Sequence, residues 1–247
     1  MMRNNAGPKQ AFMPPPAAAD ALPGQVADWL LHLATQQEGR FVLCLSGGST
    51  PRRLYEHLAT PRISNAFPWA RTHLFWGDER FVPHDGALSN YRMVHEALLA
   101  KIPIPAQHIH PIPTAGLSPD AAAAAYAREL KACYGADHLD PARPMFDVTF
   151  LGLGEDGHTA SLFPGTDALA EQNRWVAAVI GAKTEPRITL TYPTLESSRH
   201  VAFLIQGQGK HEIFKRFRAG DQALPAARLA PVGQLHIFAD RAAAGDV

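Results

Sequence analysis

The run Gly152-Leu153-Gly154-Glu155-Asp156-Gly157-His158-Thr159 constrains this chain more than any other stretch. It follows directly on Phe146 to Leu151, which is apolar apart from Asp147 and Thr149. A short apolar run of that kind reads as a strand buried on both faces, as in a parallel sheet. Gly152, Gly154 and Gly157 then force a loop with unusual backbone angles or a close approach to something. Into that loop the chain places a carboxylate, Asp156, and an imidazole, His158. Open α/β sheets bind ligands at the carboxyl ends of their strands. The two side chains can share one side of a turn, where Asp156 orients the ring or shifts its pKa. An acid and a base therefore stand where a substrate is expected, which is the pattern of a small-molecule enzyme.

The rest of the chain alternates strand and helix. Helical spacing of Leu22, Val26, Trp29, Leu30 and Leu33 predicts a helix over 20–37, closed by Gly39. Strands are expected at 41–45, 72–76, 146–151, 175–179, 188–191, 200–205 and 235–239, with a short extended piece at 108–112. Helices are expected at 52–58, 90–101, 118–134 and 209–217, with weaker ones at 193–198 and 224–229. Ser118-Pro119 is a helix start, with Ser as N-cap and Pro at the first helical position. Gly77 to Ser89 reads as a polar loop. This alternation predicts an α/β fold, doubly wound, with a mainly parallel sheet and helices on both faces. No internal repeat or long linker breaks the chain, so 19–247 is expected to be one domain. Residues 1–18, polar and then Pro-rich, are expected to be a disordered tail.

Charge narrows the partners. With 23 Lys+Arg against 23 Asp+Glu the net charge is zero, which gives no footprint for nucleic acid or a membrane surface. Any anion site must therefore be local. No apolar stretch reaches the length of a membrane span, and the N-terminal stretch has no apolar signal core, so a cytoplasmic protein is expected. Cys44 and Cys133 make no disulfide framework, and Cys44 reads as a reduced core residue.

Three further clusters bear on chemistry. Ser46-Gly47-Gly48-Ser49-Thr50 joins a strand to a helix. Its glycines allow close backbone approach, the helix N-terminus offers free amides, and the hydroxyls add donors, so it can cradle a phosphate. Equally, it can be a tight turn in which Ser or Thr caps the helix. It meets neither the three-glycine dinucleotide fingerprint nor the P-loop pattern. Asp78, Glu79 and Arg80 put three charges just past a strand, as a functional loop or as a solvated surface ion pair. Lys183 and Arg187 flank Glu185-Pro186 before a strand; they can neutralise a phosphate or be solvated charge. His108 and His110 lack a third ligand in the sequence, and no Gly-x-Ser-x-Gly elbow is present.

Taken together and in this order, these words resemble the 6-phosphogluconolactonase family. The words are Ser46 to Pro51, Trp76-Gly-Asp-Glu-Arg80 with Val82-Pro83, Ser89-Asn90, Leu151 to Gly165 and Pro186 to Leu190. The wider superfamily includes glucosamine-6-phosphate isomerase/deaminases, which have a similar Asp-Gly-His loop but place a catalytic Glu shortly after the His, in an Asn-Glu-Pro run. Here that stretch is Ala160-Ser161-Leu162-Phe163-Pro164, with no acid. The departure favours the lactonase.

The resemblance implies a Rossmann-like fold of the sugar-phosphate isomerase type and hydrolysis of 6-phospho-D-glucono-1,5-lactone in the oxidative pentose phosphate pathway. It also implies no metal and no organic cofactor. The partner is then a small sugar-phosphate lactone, with the protein a monomer or weak homodimer. On this reading His158 is the general base, Asp156 orients it, and Arg80 holds either the oxyanion or the phosphate. Ser46, Gly47, Gly48, Ser49 and Thr50 bind the phosphate with help from Lys183 and Arg187, and Asp78 supports the site, for instance through a sugar hydroxyl. The competing readings are an isomerase/deaminase and a non-catalytic sugar-phosphate sensor, which would have no need of the Asp156/His158 pair.

Overall fold

The computed structural model describes residues 11–245. Along the chain, α1 (Leu22–Gln36) leads into β1 (Phe41–Leu45), α2 (Ser49–Leu58), α3 (Pro61–Ser64) and β2 (Thr72–Trp76). Then come β3 (Asp78–Arg80), α4 (Asn90–Ala97), β4 (Ile109–His110), α5 (Pro119–Tyr134) and β5 (Phe146–Leu151). The last part holds β6 (Val176–Val179), β7 (Arg187–Leu190), α6 (Tyr192–Glu196), β8 (Ser198–Ile205), α7 (His211–Arg218), β9 (Gln234–Ala239) and α8 (Arg241–Ala244).

Six of these strands form a parallel sheet in the order β4-β2-β1-β5-β8-β9, with helices on both faces. From β1 the chain moves outward through β2 and β4, then returns to lay β5 on the other side of β1. The order therefore reverses between β1 and β5, and their carboxyl ends open a crevice. β1 and β5 are buried at every position, as strands covered on both faces must be. The polar residues inside β5 are satisfied there. Asp147 accepts from Val42 N at 2.7 Å and Arg199 Nε at 3.1 Å, and the Thr149 and Ser198 hydroxyls lie 2.8 Å apart. Cys44 is fully buried in β1, where burial pushes its thiol pKa up.

Helix ends follow their sequence signals. The Ser118 hydroxyl accepts from Ala121 N at 3.2 Å to start α5, and Gly135 ends it at φ +80°. On α1, Leu22, Val26, Ala27, Leu30 and Ala34 are buried, while Trp29 lies on the flank against His200, His236 and Phe238.

Two expectations need correction. The stretch after Trp76 is not all loop: Asp78–Arg80 is a strand, antiparallel to β7, in a second sheet of order β3-β7-β6. A three-residue charged segment has no apolar alternation to reveal it; its pairing comes from a distant part of the chain. Residues 11–18, the end of the expected disordered tail, run beside β9. Phe12 N donates to Leu235 O at 2.8 Å, Ile237 N to Phe12 O at 3.0 Å, and Arg241 N to Ala17 O at 2.9 Å. The edge of β9 supplies partners that Pro-rich composition does not betray, and Pro14 to Pro16 fall between the paired points. Residues 1–10 lie outside the described residues. Among the described residues no helix is long and apolar enough to cross a membrane.

Candidate active site

A cleft of about 660 Å³ opens at the carboxyl ends of β1 and β5. Its first wall is the turn after β1. Tyr55, on α2, donates its hydroxyl proton to Ser46 O (2.8 Å) and accepts from Ser46 N (2.9 Å), so the helix holds the start of the turn. Gly48, at φ +105°, is the N-cap of α2, and no side chain caps that helix. The capping alternative for Ser49 and Thr50 is therefore not what the chain does. Their amides, in the first turn of the helix, lack intrahelical partners and face the cleft end of a positive helix dipole.

The second wall is β3. Asp78 is buried, and its carboxylate accepts from Ser161 Oγ at 2.5 Å. Arg80 Nη1 donates to Leu88 O at 2.7 Å, which fixes the guanidinium at the cleft. Arg80 is the cross-strand partner of Arg187. Like charges at paired positions cost stability, and an anion between them offsets the cost. Glu79 differs from its neighbours. It is 1% exposed and accepts from Arg80 N, Asn90 N, Tyr91 N and Ser89 Oγ at 2.7–3.1 Å. Burial raises its pKa against those hydrogen bonds, and its work is to tie β3 to the start of α4.

The third wall is the loop after β5. His158 Nδ1 makes a short contact with Asp156 Oδ1, and His158 N donates to the same oxygen at 3.1 Å. Gly154 leaves the room: a Cβ there would stand 2.0 Å from His158 Nδ1. Phe163 packs against the imidazole at 4.7 Å between ring centroids, and Lys183 Nζ lies 5.0 Å from the centroid of the Phe163 ring. Burial works to raise the Asp156 carboxyl, but hydrogen bonds from His158 and the Lys183 charge outweigh it and hold its pKa below the usual value. Just beyond His158, Ala160 adopts φ +47°, a left-handed backbone rare for a side chain-bearing residue.

The fold thus brings every candidate residue to one cleft: Ser46 to Thr50, Asp78, Arg80, Asp156, His158, Lys183 and Arg187. Residues 17–237 match the family described as glucosamine-6-phosphate isomerases/6-phosphogluconolactonase. A 6-phosphogluconolactonase of Nostoc sp. is 39% identical over 221 residues, which is 88% of this chain and 89% of that protein. The 6-phosphogluconolactonase of Rattus norvegicus is 38% identical over 238 residues, 94% of this chain and 91% of its own. The crystal structure of the Thermotoga maritima 6-phosphogluconolactonase superposes with a TM-score of 0.79 at 28% identity, covering 94% of this chain and all of that one. The chain belongs to this family. A monomeric glucosamine-6-phosphate deaminase matches it at 18% identity with a TM-score of 0.79 over 95% of this chain and 99% of its own, a likeness of fold alone.

Within the family fold, some residues reach the cleft that no candidate reading picked out. Asn90, Ser161, Phe163, Gln206 and Lys210 all line it. Ser161 and Phe163 lie in the Leu151 to Gly165 run that carries the resemblance, where only the lack of an acid drew notice. Lys210 comes from the turn before α7, and nothing in its local sequence marks it. His108 and His110 are elsewhere, at the β4 edge. There His110 Nε2 meets His73 Nδ1 at 3.0 Å, and His110 Nδ1 meets Glu129 at 2.7 Å. Among the described residues no cluster of His, Cys, Asp and Glu is arranged to hold a metal ion.

Proposed function

We propose that this chain hydrolyses 6-phospho-D-glucono-1,5-lactone to 6-phospho-D-gluconate. The observation that carries the reading is that a histidine–carboxylate pair and an uncapped helix N-terminus in a Gly-Ser-Thr turn face the same cleft. The first suits acyl chemistry at C1 and the second suits a phosphate on C6. Two relatives named for this activity, at 38–39% identity over most of the chain, support it.

In this mechanism the neutral His158 ring keeps its proton on Nδ1, shared with Asp156, which leaves Nε2 free as the base. Nε2 takes a proton from water as the water oxygen attacks C1, and a tetrahedral oxyanion forms. The intermediate collapses by breaking the bond from C1 to the ring oxygen, and His158 returns the proton to that oxygen. The product carboxylic acid then ionises. Arg80 stabilises the oxyanion, a contribution of roughly 3 kcal/mol for a single donor. The turn from Ser46 to Thr50 holds the phosphate with Lys183 and Arg187. Asp78 supports the site from beneath, braced by Ser161. No carboxylate occupies 160–164, where an isomerase/deaminase of this superfamily would need one. The enzyme then serves the second step of the oxidative pentose phosphate pathway in the cytoplasm, as a monomer or weak homodimer.

The test is turnover of lactone generated in situ, read by 6-phosphogluconate dehydrogenase against an enzyme-free blank. The expected result is acceleration over the blank and no ammonia release from glucosamine 6-phosphate. Ammonia release without lactone turnover would assign the deaminase reaction instead, and binding of both compounds without turnover would assign a sensor.

A further inference from the structure

We propose that Asn90 is a positioning residue that gives the cleft its preference for phosphorylated over unphosphorylated lactones; the inference rests on the lactonase reading above. Asn90 opens α4 and is 3% exposed. Its backbone N–H donates to Glu79 Oε1 at 2.7 Å, and its Nδ2 donates to Asp78 O at 3.0 Å. Those two bonds fix the carboxamide on β3. The other side of the carboxamide lies against the phosphate turn. A Cβ built on Gly47 would stand 1.9 Å from Asn90 Oδ1 and 2.4 Å from its Cγ. Gly47, unlike Gly48, does not have a left-handed backbone, so this contact and not a turn conformation excludes a side chain there.

Asp78 is also the anchor on the catalytic side. Its carboxylate accepts from Ser161 Oγ at 2.5 Å, three residues past His158, and Ser161 N donates to Thr189 Oγ1 at 3.2 Å on β7. A continuous series of contacts therefore joins the phosphate turn to the His158 loop: Gly47, Asn90, Asp78, Ser161. The phosphate on C6 and the carbonyl at C1 are held by the two ends of that series. Asn90 sets the place of the phosphate end relative to the base. A lactone without phosphate uses only the other end.

Asn90→Ala removes the buttress behind Gly47. We expect kcat/KM for 6-phosphogluconolactone to fall about tenfold or more, mostly through KM, and that for D-glucono-1,5-lactone to fall less than about threefold. Gly47→Ala drives a methyl against the whole Asn90 carboxamide, 1.9 Å from Oδ1 and 2.6 Å from Nδ2, displaces it from Asp78 O while leaving the backbone bond to Glu79, and should give the same substrate split. Combined with Asn90→Ala it should add little, because its collision partner is gone; the two changes are then strongly non-additive. Calorimetry with 6-phosphogluconate and gluconate reads the same preference without turnover, so it separates this inference from the lactonase reading. Wild type should bind the phosphorylated acid at least about tenfold tighter, and Asn90→Ala should lose most of that difference. Equal losses on both lactones, additive effects of the two substitutions, or an unchanged affinity ratio in Asn90→Ala would each overturn the proposal. So would a wild type that binds the two acids alike.

Discussion

Gly154 is glycine because of a ring, not because of a turn. The space its side chain would fill is occupied by His158 Nδ1, 2.0 Å from the missing Cβ. Gly154→Ala must push the imidazole off Asp156 or move the loop. Misplacement of a catalytic group by about 1 Å can cost about a hundredfold in rate. We therefore expect kcat to fall by that order while the unfolding midpoint drops by only a few degrees; a variant with wild-type kcat and a normal midpoint would show that the ring has other room. This much was readable from the sequence, where the three glycines around Asp156 and His158 signal close approach. Gly157 is the one that supplies a left-handed turn, at φ +79°. The left-handed Ala160 was not readable. Its strain, roughly 1–2 kcal/mol for a residue with a Cβ, goes with the tight turn in which Leu162 N donates to Thr159 O at 2.9 Å and with the contacts of Ser161. Ser161 N meets Thr189, and Ser161 Oγ meets Asp78.

At the scale of elements, long apolar runs and capped helices were legible and short polar ones were not. β1, β2 and β5 fall where apolar runs place them, because burial on both faces favours apolar residues and admits a polar one only with a partner, as Asp147 and Thr149 have. β3 and the segment beside β9 escaped for other reasons: β3 is three charged residues, the segment is interrupted by Pro14 to Pro16, and each exists through pairing with residues far along the chain. That segment makes a prediction. Removing residues 1–17 deletes the hydrogen bonds to Leu235, Ile237, Ala239 and Arg241 and uncovers the edge of β9. The unfolding midpoint should fall by several degrees, with concentration-dependent self-association and unchanged kcat/KM for the folded fraction. An unaltered midpoint and a monomeric state would mean that the paired segment contributes nothing to stability.

For the molecule as a whole, the strand order puts the chemistry at one end of the sheet and histidine clusters at its edges. His236, on β9, is 4% exposed, and burial lowers its pKa from 6.5 to about 4, helped by nearby His200. His73, on β2, is likewise lowered to about 4, by burial first and then by His108, His110 and Arg40. The folded state favours the neutral ring in both. Their contribution to stability is therefore fully present above the unfolded pKa of 6.5 and is lost as pH falls toward 4. The unfolding free energy should be flat near pH 7–8 and decline below about pH 6.5, by on the order of 2 kcal/mol for His236 alone. Urea titrations at successive pH values check this, and a flat profile down to pH 4.5 would contradict it. Zero net charge gives the chain no overall attraction for an anion, so anion capture falls to local groups: the α2 terminus, Arg80, Lys183 and Arg187.

The claim on which the account depends most is that His158, oriented by Asp156, is the base that activates water. The most direct measurement is kcat/KM for 6-phosphogluconolactone, corrected for spontaneous hydrolysis, in wild type and His158→Ala. His158→Ala is expected to lose a factor on the order of 10²–10⁴, with 6-phosphogluconate still bound at near wild-type affinity. A His158→Ala enzyme that keeps most of its activity would contradict it.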